Sequence, residues 1–140
     1  MAAIKFYSED TSFKLNGRRV LRDWIRNVVE QHHCTCGEIA IVICSDAFLL
    51  NINQQFLHHD EFTDIVTFDY CEQKMVSGDL FISIDRVREN SLKHKVTLNE
   101  ELHRVIIHGV LHLLGFKDKT PDAKIQMTRE ENKMLDFLEF

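Results

Sequence analysis

Apolar residues recur along this chain in two rhythms. Val20, Leu21, Trp24, Ile25 and Val28 return at steps of three and four, which predicts a helix from Arg18 to Gln31 with one inward stripe. "EIAIVICS" is instead a continuous β-branched run, the pattern of a strand covered on both faces. "AAIKFYSE", "DIVTFDY" and "GDLFISI" add three further strands, the last two separated by a loop over Cys71 to Ser77 that suits either an antiparallel pair or a longer excursion. Between the strands, Ser45 caps a helix running to about Phe56 with Leu49, Ile52 and Phe56 turned inward.

Two more helices close the chain, after a short one expected from Asp85 to Ser91. Thr97 and Glu100 form an S/T-x-x-E capping box that marks a helix start. From there Leu98, Leu102, Val105, Ile106, Val110, Leu111, Leu113 and Leu114 wrap almost the whole circumference, which predicts a buried central helix. Gly115 supplies its left-handed terminator. Thr120-Pro121 opens the last helix, with Ile125, Thr128, Met134, Leu135 and Leu138 expected on its inner face. The sum is an α+β (α/β) single domain over residues 1–140: a small mixed four-stranded sheet packed with about five helices.

Composition narrows the class. A chain of 140 residues with 44% hydrophobic and 28% charged residues builds one core and is not disordered. No apolar run approaches the ~20 residues of a membrane span, and "MAAIKFYSED" lacks the basic-then-apolar order of a secretory signal, so a cytoplasmic protein with no membrane partner is expected. Cys34, Cys36, Cys44 and Cys71 contain no C-x-x-C pair and read as free thiols. The one-residue spacing of "CTC" argues against zinc binding with His32 or His33. A net charge of −5 excludes a general nucleic-acid coat protein and leaves RNA binding to a local basic patch.

The chemistry-bearing stretch is "VIIHGVLHLLGFKD". His108 and His112 stand four residues apart, so on a helix both imidazoles project from one face within reach of one ion. Unpartnered in aliphatic surroundings, each would cost about 1–3 kcal/mol. Gly115 turns the chain back and brings Asp118 round as a third ligand. Two nitrogens and a carboxylate leave one coordination position open, as in catalytic zinc sites. The peptidase motif H-E-x-x-H needs glutamate after its first histidine, whereas Gly109 stands here and takes no proton, which argues against peptide hydrolysis.

"HGVLHLLGFKDK" resembles the H-G-x-L-H-L-x-G-[YF]-D-H signature of the bacterial YbeY family, metal-dependent endoribonucleases linked to ribosomal RNA maturation. "LNINQQF", "FTDIVTFDY" and "SGDLFISID" follow the same family's order and spacing, so the likeness runs well from Ile39 to Lys119. It implies one Zn2+ ion or another divalent metal at His108, His112 and Asp118. It further implies a single-strand-specific endoribonuclease acting at the 3′ end of small-subunit ribosomal RNA and in ribosome quality control, with rRNA and the small ribosomal subunit as partners and no DNA. Two positions depart from the pattern. Asp118 replaces the usual third histidine, which shifts preference toward harder ions, and Leu57 follows Phe56 where the family carries an RNA-facing arginine. A metal hydrolase of another class, peptidase-like, and a non-catalytic ribosome-assembly factor with a structural metal remain the alternatives.

Candidate RNA-contacting cations are Arg18, Arg22 and Arg26 on one helix face, with Arg104, Lys117 and Lys119 nearer the histidines. Arg104 is expected to pair with Glu100 or Glu101 on its own helix. Asp64 reads as a turn cap or ladder residue before the strand that carries Thr67, and "HHDEFT", with His58 and His59, as an exposed polar turn. No general acid or base is evident.

Overall fold

The β-branched run at Ile39–Ile43 becomes the middle of the sheet. In the computed structural model, which describes residues 3–58 and 63–138, β2 (Thr35–Cys44) pairs in parallel with β1 (Ala3–Glu9) on one side and with β4 (Met75–Ser83) on the other. β3 (Ile65–Asp69) adds antiparallel to β4, giving the order β1-β2-β4-β3. Alternation along β2 divides its side chains: Ile39, Ile41 and Ile43 join the main core, and Cys44 joins a smaller cluster with Leu49 and Val66 on the other side.

Helices take up these two faces unequally. α2 (Asp46–Leu57), capped by the Ser45 hydroxyl that accepts from Phe48 N, contributes Phe48, Leu49 and Ile52 to the smaller cluster. The main face carries α1 (Arg18–Gln31) and α4 (Leu98–Leu113). α3 (Ile84–His94) and α5 (Pro121–Leu135) then pack on α4 and bury its far side. α4 begins at the expected capping box, with Thr97 Oγ1 accepting from Glu100 N at 3.1 Å and Glu100 Oε1 accepting from Thr97 N at 3.0 Å. α5 is fastened across the core by Trp24, whose Nε1 donates to Met134 O at 2.8 Å.

Gly109 is where α4 comes closest to the sheet. A Cβ there would stand 2.7 Å from Ile65 Cδ1 and 3.0 Å from both Leu80 methyls, so only glycine lets the helix lie this low over β3 and β4.

Several expectations are corrected. Phe56 is exposed, its ring meeting Phe68 edge-on at 5.9 Å, because Asn53 and Leu49 occupy the inward positions of α2. Ile125 and Thr128 are also exposed; the inner face of α5 runs through Met127, Glu131 and Met134. The loop between β3 and β4 is shorter than Cys71–Ser77, since Glu72 and Met75 already exchange backbone hydrogen bonds and close a hairpin through Gln73 at φ 53°. α3 extends past both expected ends. Four cysteines are free, and burial, reinforced by Asp85, Asp10, Asp46 and Glu9, pushes the Cys44 thiol up to about 12. The turn at His59 to Phe62 lies outside the described residues. No helix among the described residues is long and apolar enough to cross a membrane.

Candidate metal centre

The last turn of α4 and the bend after it build the site together. Gly115 N donates to His112 O and Phe116 N to Leu111 O, both at 3.0 Å, the paired bonds of a Schellman motif, with Gly115 at φ 103°. This closure satisfies the Leu111 and His112 carbonyls and sends Lys117 and Asp118 back along the helix. Asp118 Oδ2 arrives 3.2 Å from His108 Nε2 and 3.3 Å from His112 Nε2, while the two Nε2 atoms are 3.0 Å apart.

Each ring's other nitrogen is engaged by an acceptor. His112 Nδ1 lies 3.1 Å from Phe116 O, a carbonyl that can only accept. His108 Nδ1 lies 2.6 Å from Oε2 of Glu131, whose Oε1 accepts from Arg104 Nη1 at 2.8 Å. Both Nδ1 atoms therefore carry the hydrogen, and in the neutral rings both Nε2 atoms carry lone pairs. Three lone-pair donors, two nitrogens and a carboxylate oxygen, face one another with nothing to share but a proton or a cation. Tetrahedral zinc with ligands at ~2.0–2.1 Å sets ligand atoms about 3.3 Å apart, close to the spacings found here. These atoms form the one three-ligand group able to hold a metal ion among the described residues.

The surrounding carboxylates draw positive charge to this point, so a proton on His108 Nε2 and a metal ion compete for the same place. Burial alone would lower the His108 pKa, but the hydrogen bond and charge of Glu131, followed by Asp118 and Asp64, outweigh it and leave it raised. The Asp64 carboxyl is pushed up by burial, against the opposing pull of His108 and of the Asp64 and Ile65 backbone N–H groups.

The triad sits in a cleft of about 640 Å³ beside edge strand β3, lined also by Asn53, Leu57, Asp64, Thr67, Asp69 and Lys119. Lys119 is thus in the cleft. Lys117 instead borders a separate hollow beside Gln126. Arg18, Arg22 and Arg26 do not line the cleft: Arg22 Nε donates to Ile4 O at 3.0 Å and its guanidinium lies over Phe6, and Arg26 faces Asp23 at 3.9 Å. Arg104 pairs with Glu131 and Asn132 of α5, not with Glu100 or Glu101; Glu101 is taken by His94 at 3.2 Å. His32, considered beside "CTC", is held by Val28 O and Glu130.

Sequence reasoning missed Glu131. It stands in "TREENK", which reads as a solvated charged face. The available signal was its register: Met127, Glu131 and Met134 fall on one stripe at steps of four and three, so the carboxylate had to point inward.

Fold and site define an α+β domain whose buried helix ends in a cleft with two histidines and an aspartate aimed at one point. A family model described as Endoribonuclease YbeY matches residues 3–139. Proteins named Endoribonuclease YbeY from Porphyromonas gingivalis and Parabacteroides distasonis are 47% and 45% identical, covering 96% and 97% of this chain and 89% and 96% of their own lengths. One from Bacteroides thetaiotaomicron is 44% identical over 95% of this chain and 97% of its own. The solution structure of TM1509 from Thermotoga maritima superposes with a TM-score of 0.65 at 24% identity, covering 96% of this chain and 90% of that one, and shares the fold. The chain belongs to the endoribonuclease YbeY family.

Proposed function

We propose that this chain is a metal-dependent endoribonuclease whose cleft holds one divalent cation, zinc by its donor set, on His108, His112 and Asp118. The observation that carries the reading is the convergence of three lone-pair donors within 4.8 Å of one another. A cation bound there supplies Lewis acidity toward a phosphodiester and lowers the pKa of water. The chain's own residues account for the rest. Glu131 and the Phe116 carbonyl fix both rings in the tautomer that offers Nε2. Asp64, Asp69 and Asp118 make the cleft acidic, with Lys119 as the cation on its lining, so a phosphodiester is repelled unless a metal offsets that charge.

Both rival readings fit less well. Glutamate at Gly109, as a peptidase would need, collides with Ile65 and Leu80. A purely structural metal is superfluous, because the turn that carries Asp118 is already closed by backbone bonds and α5 is already fixed by Trp24.

Family membership supports RNA as substrate, and the resemblance supports single-stranded ribosomal RNA, the 3′ end of the small-subunit species, ribosome quality control and a cytoplasmic setting. Elemental analysis with RNA cleavage assays on the wild type and His112→Ala tests the assignment. The wild type is expected to carry about one zinc per chain and to cut single-stranded RNA, and the variant to lose both. Cleavage that survives His112→Ala unchanged overturns it.

A further inference from the structure

We infer that Glu131 is a positioning residue for the cation site: from α5 it fixes which imidazole nitrogen His108 offers, and Arg104 in turn fixes Glu131. The inference rests on the metal-site reading above and names a residue outside the ligand set.

Glu131 is a carboxylate only 6% exposed, on a stripe otherwise made of Met127 and Met134. A buried carboxylate persists when both oxygens are satisfied. One oxygen takes Arg104 Nη1 at 2.8 Å and the other His108 Nδ1 at 2.6 Å, while Arg104 Nη2 is held by Asn132 Oδ1 at 2.7 Å. The two rings of the site are therefore set by different devices. His112 is oriented by a carbonyl four residues away in its own turn. His108 is oriented by a charged group 23 residues away on another helix. A carboxylate hydrogen-bonded to the distal nitrogen of a ligating histidine fixes its orientation and raises its basicity, and losing such a partner costs roughly 10–100-fold in metal affinity.

A purely structural role, joining α4 to α5 through Arg104, gives the same hydrogen bonds but different variant behaviour. In Glu131→Gln the amide oxygen serves either His108 or Arg104. If it faces Arg104, the NH2 group meets Nδ1 and drives the ring to the tautomer with hydrogen on Nε2. If it faces His108, the NH2 group opposes the guanidinium. Removing the guanidinium as well, in Arg104→Met with Glu131→Gln, frees the amide oxygen to accept from Nδ1–H.

The test measures Zn2+ affinity by chelator competition and the Co2+ electronic spectrum for the wild type, His112→Ala, Glu131→Gln and the double variant, with melting curves of the metal-free proteins. Glu131→Gln is expected to lose about 10–100-fold in Zn2+ affinity and to alter the Co2+ spectrum, and the double variant to recover several-fold. Wild-type affinity and spectrum in Glu131→Gln, or a double variant no tighter than the single one, overturns the inference while leaving the metal site standing. Unchanged affinity in His112→Ala overturns both. Should Glu131→Gln not fold, nitrogen-15 NMR of the zinc-loaded wild type decides: a slowly exchanging proton on His108 Nδ1 supports the role, and zinc on Nδ1 removes it.

Discussion

The Nε2 atoms of His108 and His112 lie 3.0 Å apart, and in the neutral rings neither carries the hydrogen, because each Nδ1 faces an acceptor behind it. Two lone pairs at that distance, with a carboxylate oxygen closing the triangle, repel unless something positive sits among them. Divalent metal should therefore stabilise the protein appreciably. At a free concentration one hundred times Kd, binding contributes about 2.7 kcal/mol, which for a chain of this size raises the melting temperature by roughly 10 °C. Calorimetry of chelator-treated protein with and without added zinc checks this. A melting temperature indifferent to zinc contradicts it.

Asp118 gives the site a hard oxygen where the resembling pattern has a third nitrogen. Asp118→His should keep zinc bound and move selectivity toward softer ions, raising the zinc-over-manganese affinity ratio by about tenfold relative to the wild type. Asp118→Ala should weaken every divalent ion. Paired titrations with Zn2+ and Mn2+ give the ratio directly; equal ratios in wild type and Asp118→His contradict the donor argument.

Gly109 links the site to the fold. Its missing side chain lets α4 settle on Ile65 and Leu80, and that low seat places the histidines beside edge strand β3. Gly109→Ala forces a methyl to within 2.7 Å of Ile65 Cδ1, and overpacking of this kind costs about 1–3 kcal/mol. The gain in helix propensity, about 1 kcal/mol, offsets part of it. Urea unfolding should show net destabilisation. Gly109→Glu, which completes the peptidase motif on paper, should unfold more readily still and gain no peptidase activity.

The sequence's legibility follows from which forces are local. Helix and strand periodicity, the Thr97–Glu100 box and the Gly115 stop are written in neighbouring residues, and the box and the stop stand where they were expected. The convergence of His108, His112 and Asp118 was equally readable, since all three lie within one helical turn and its closing bend. Glu131 was not, because its partners come from α4, and a charged run on a helix looks the same whether its face is solvated or docked. Arg104 was misread for the same reason: a local partner was assumed, and a tertiary one prevails. Phe56 and Ile125 show the reverse error, in which a local apolar pattern implied burial and both side chains stand exposed.

The capping box makes the start of α4 sensitive to acid. The backbone and side-chain hydrogen bonds of Thr97 hold the Glu100 carboxyl below its ordinary range, with a smaller contribution from His103. A folded-state pKa below the unfolded value means that the contribution is present above the ordinary glutamate range and is lost as pH falls through the lowered value. Thr97→Ala should cost about 0.5–2 kcal/mol at pH 7. The stability difference between wild type and Glu100→Ala should shrink between pH 5 and pH 3. Urea midpoints at these pH values test it, and a difference that grows on acidification contradicts the assignment.

Leu57 lines the cleft from the last turn of α2, at the position where the resembling pattern carries arginine. It is 39% exposed, so a longer side chain can extend into solvent without displacing the core. A guanidinium there would add a second cation to Lys119 on an otherwise acidic lining and would offer a bidentate contact to phosphate. Leu57→Arg should tighten single-stranded RNA binding. It should also steepen the dependence of affinity on salt by about one counterion, in slope terms roughly 0.7 for single strands. Metal affinity should stay close to that of the wild type, since the ligand atoms and their hydrogen-bond partners are untouched. RNA titrations at two or more salt concentrations resolve the slope. If Leu57→Arg binds RNA with the wild-type slope, α2 does not face the substrate backbone, and the path of the RNA across this cleft has to run along β3 and Lys119 instead.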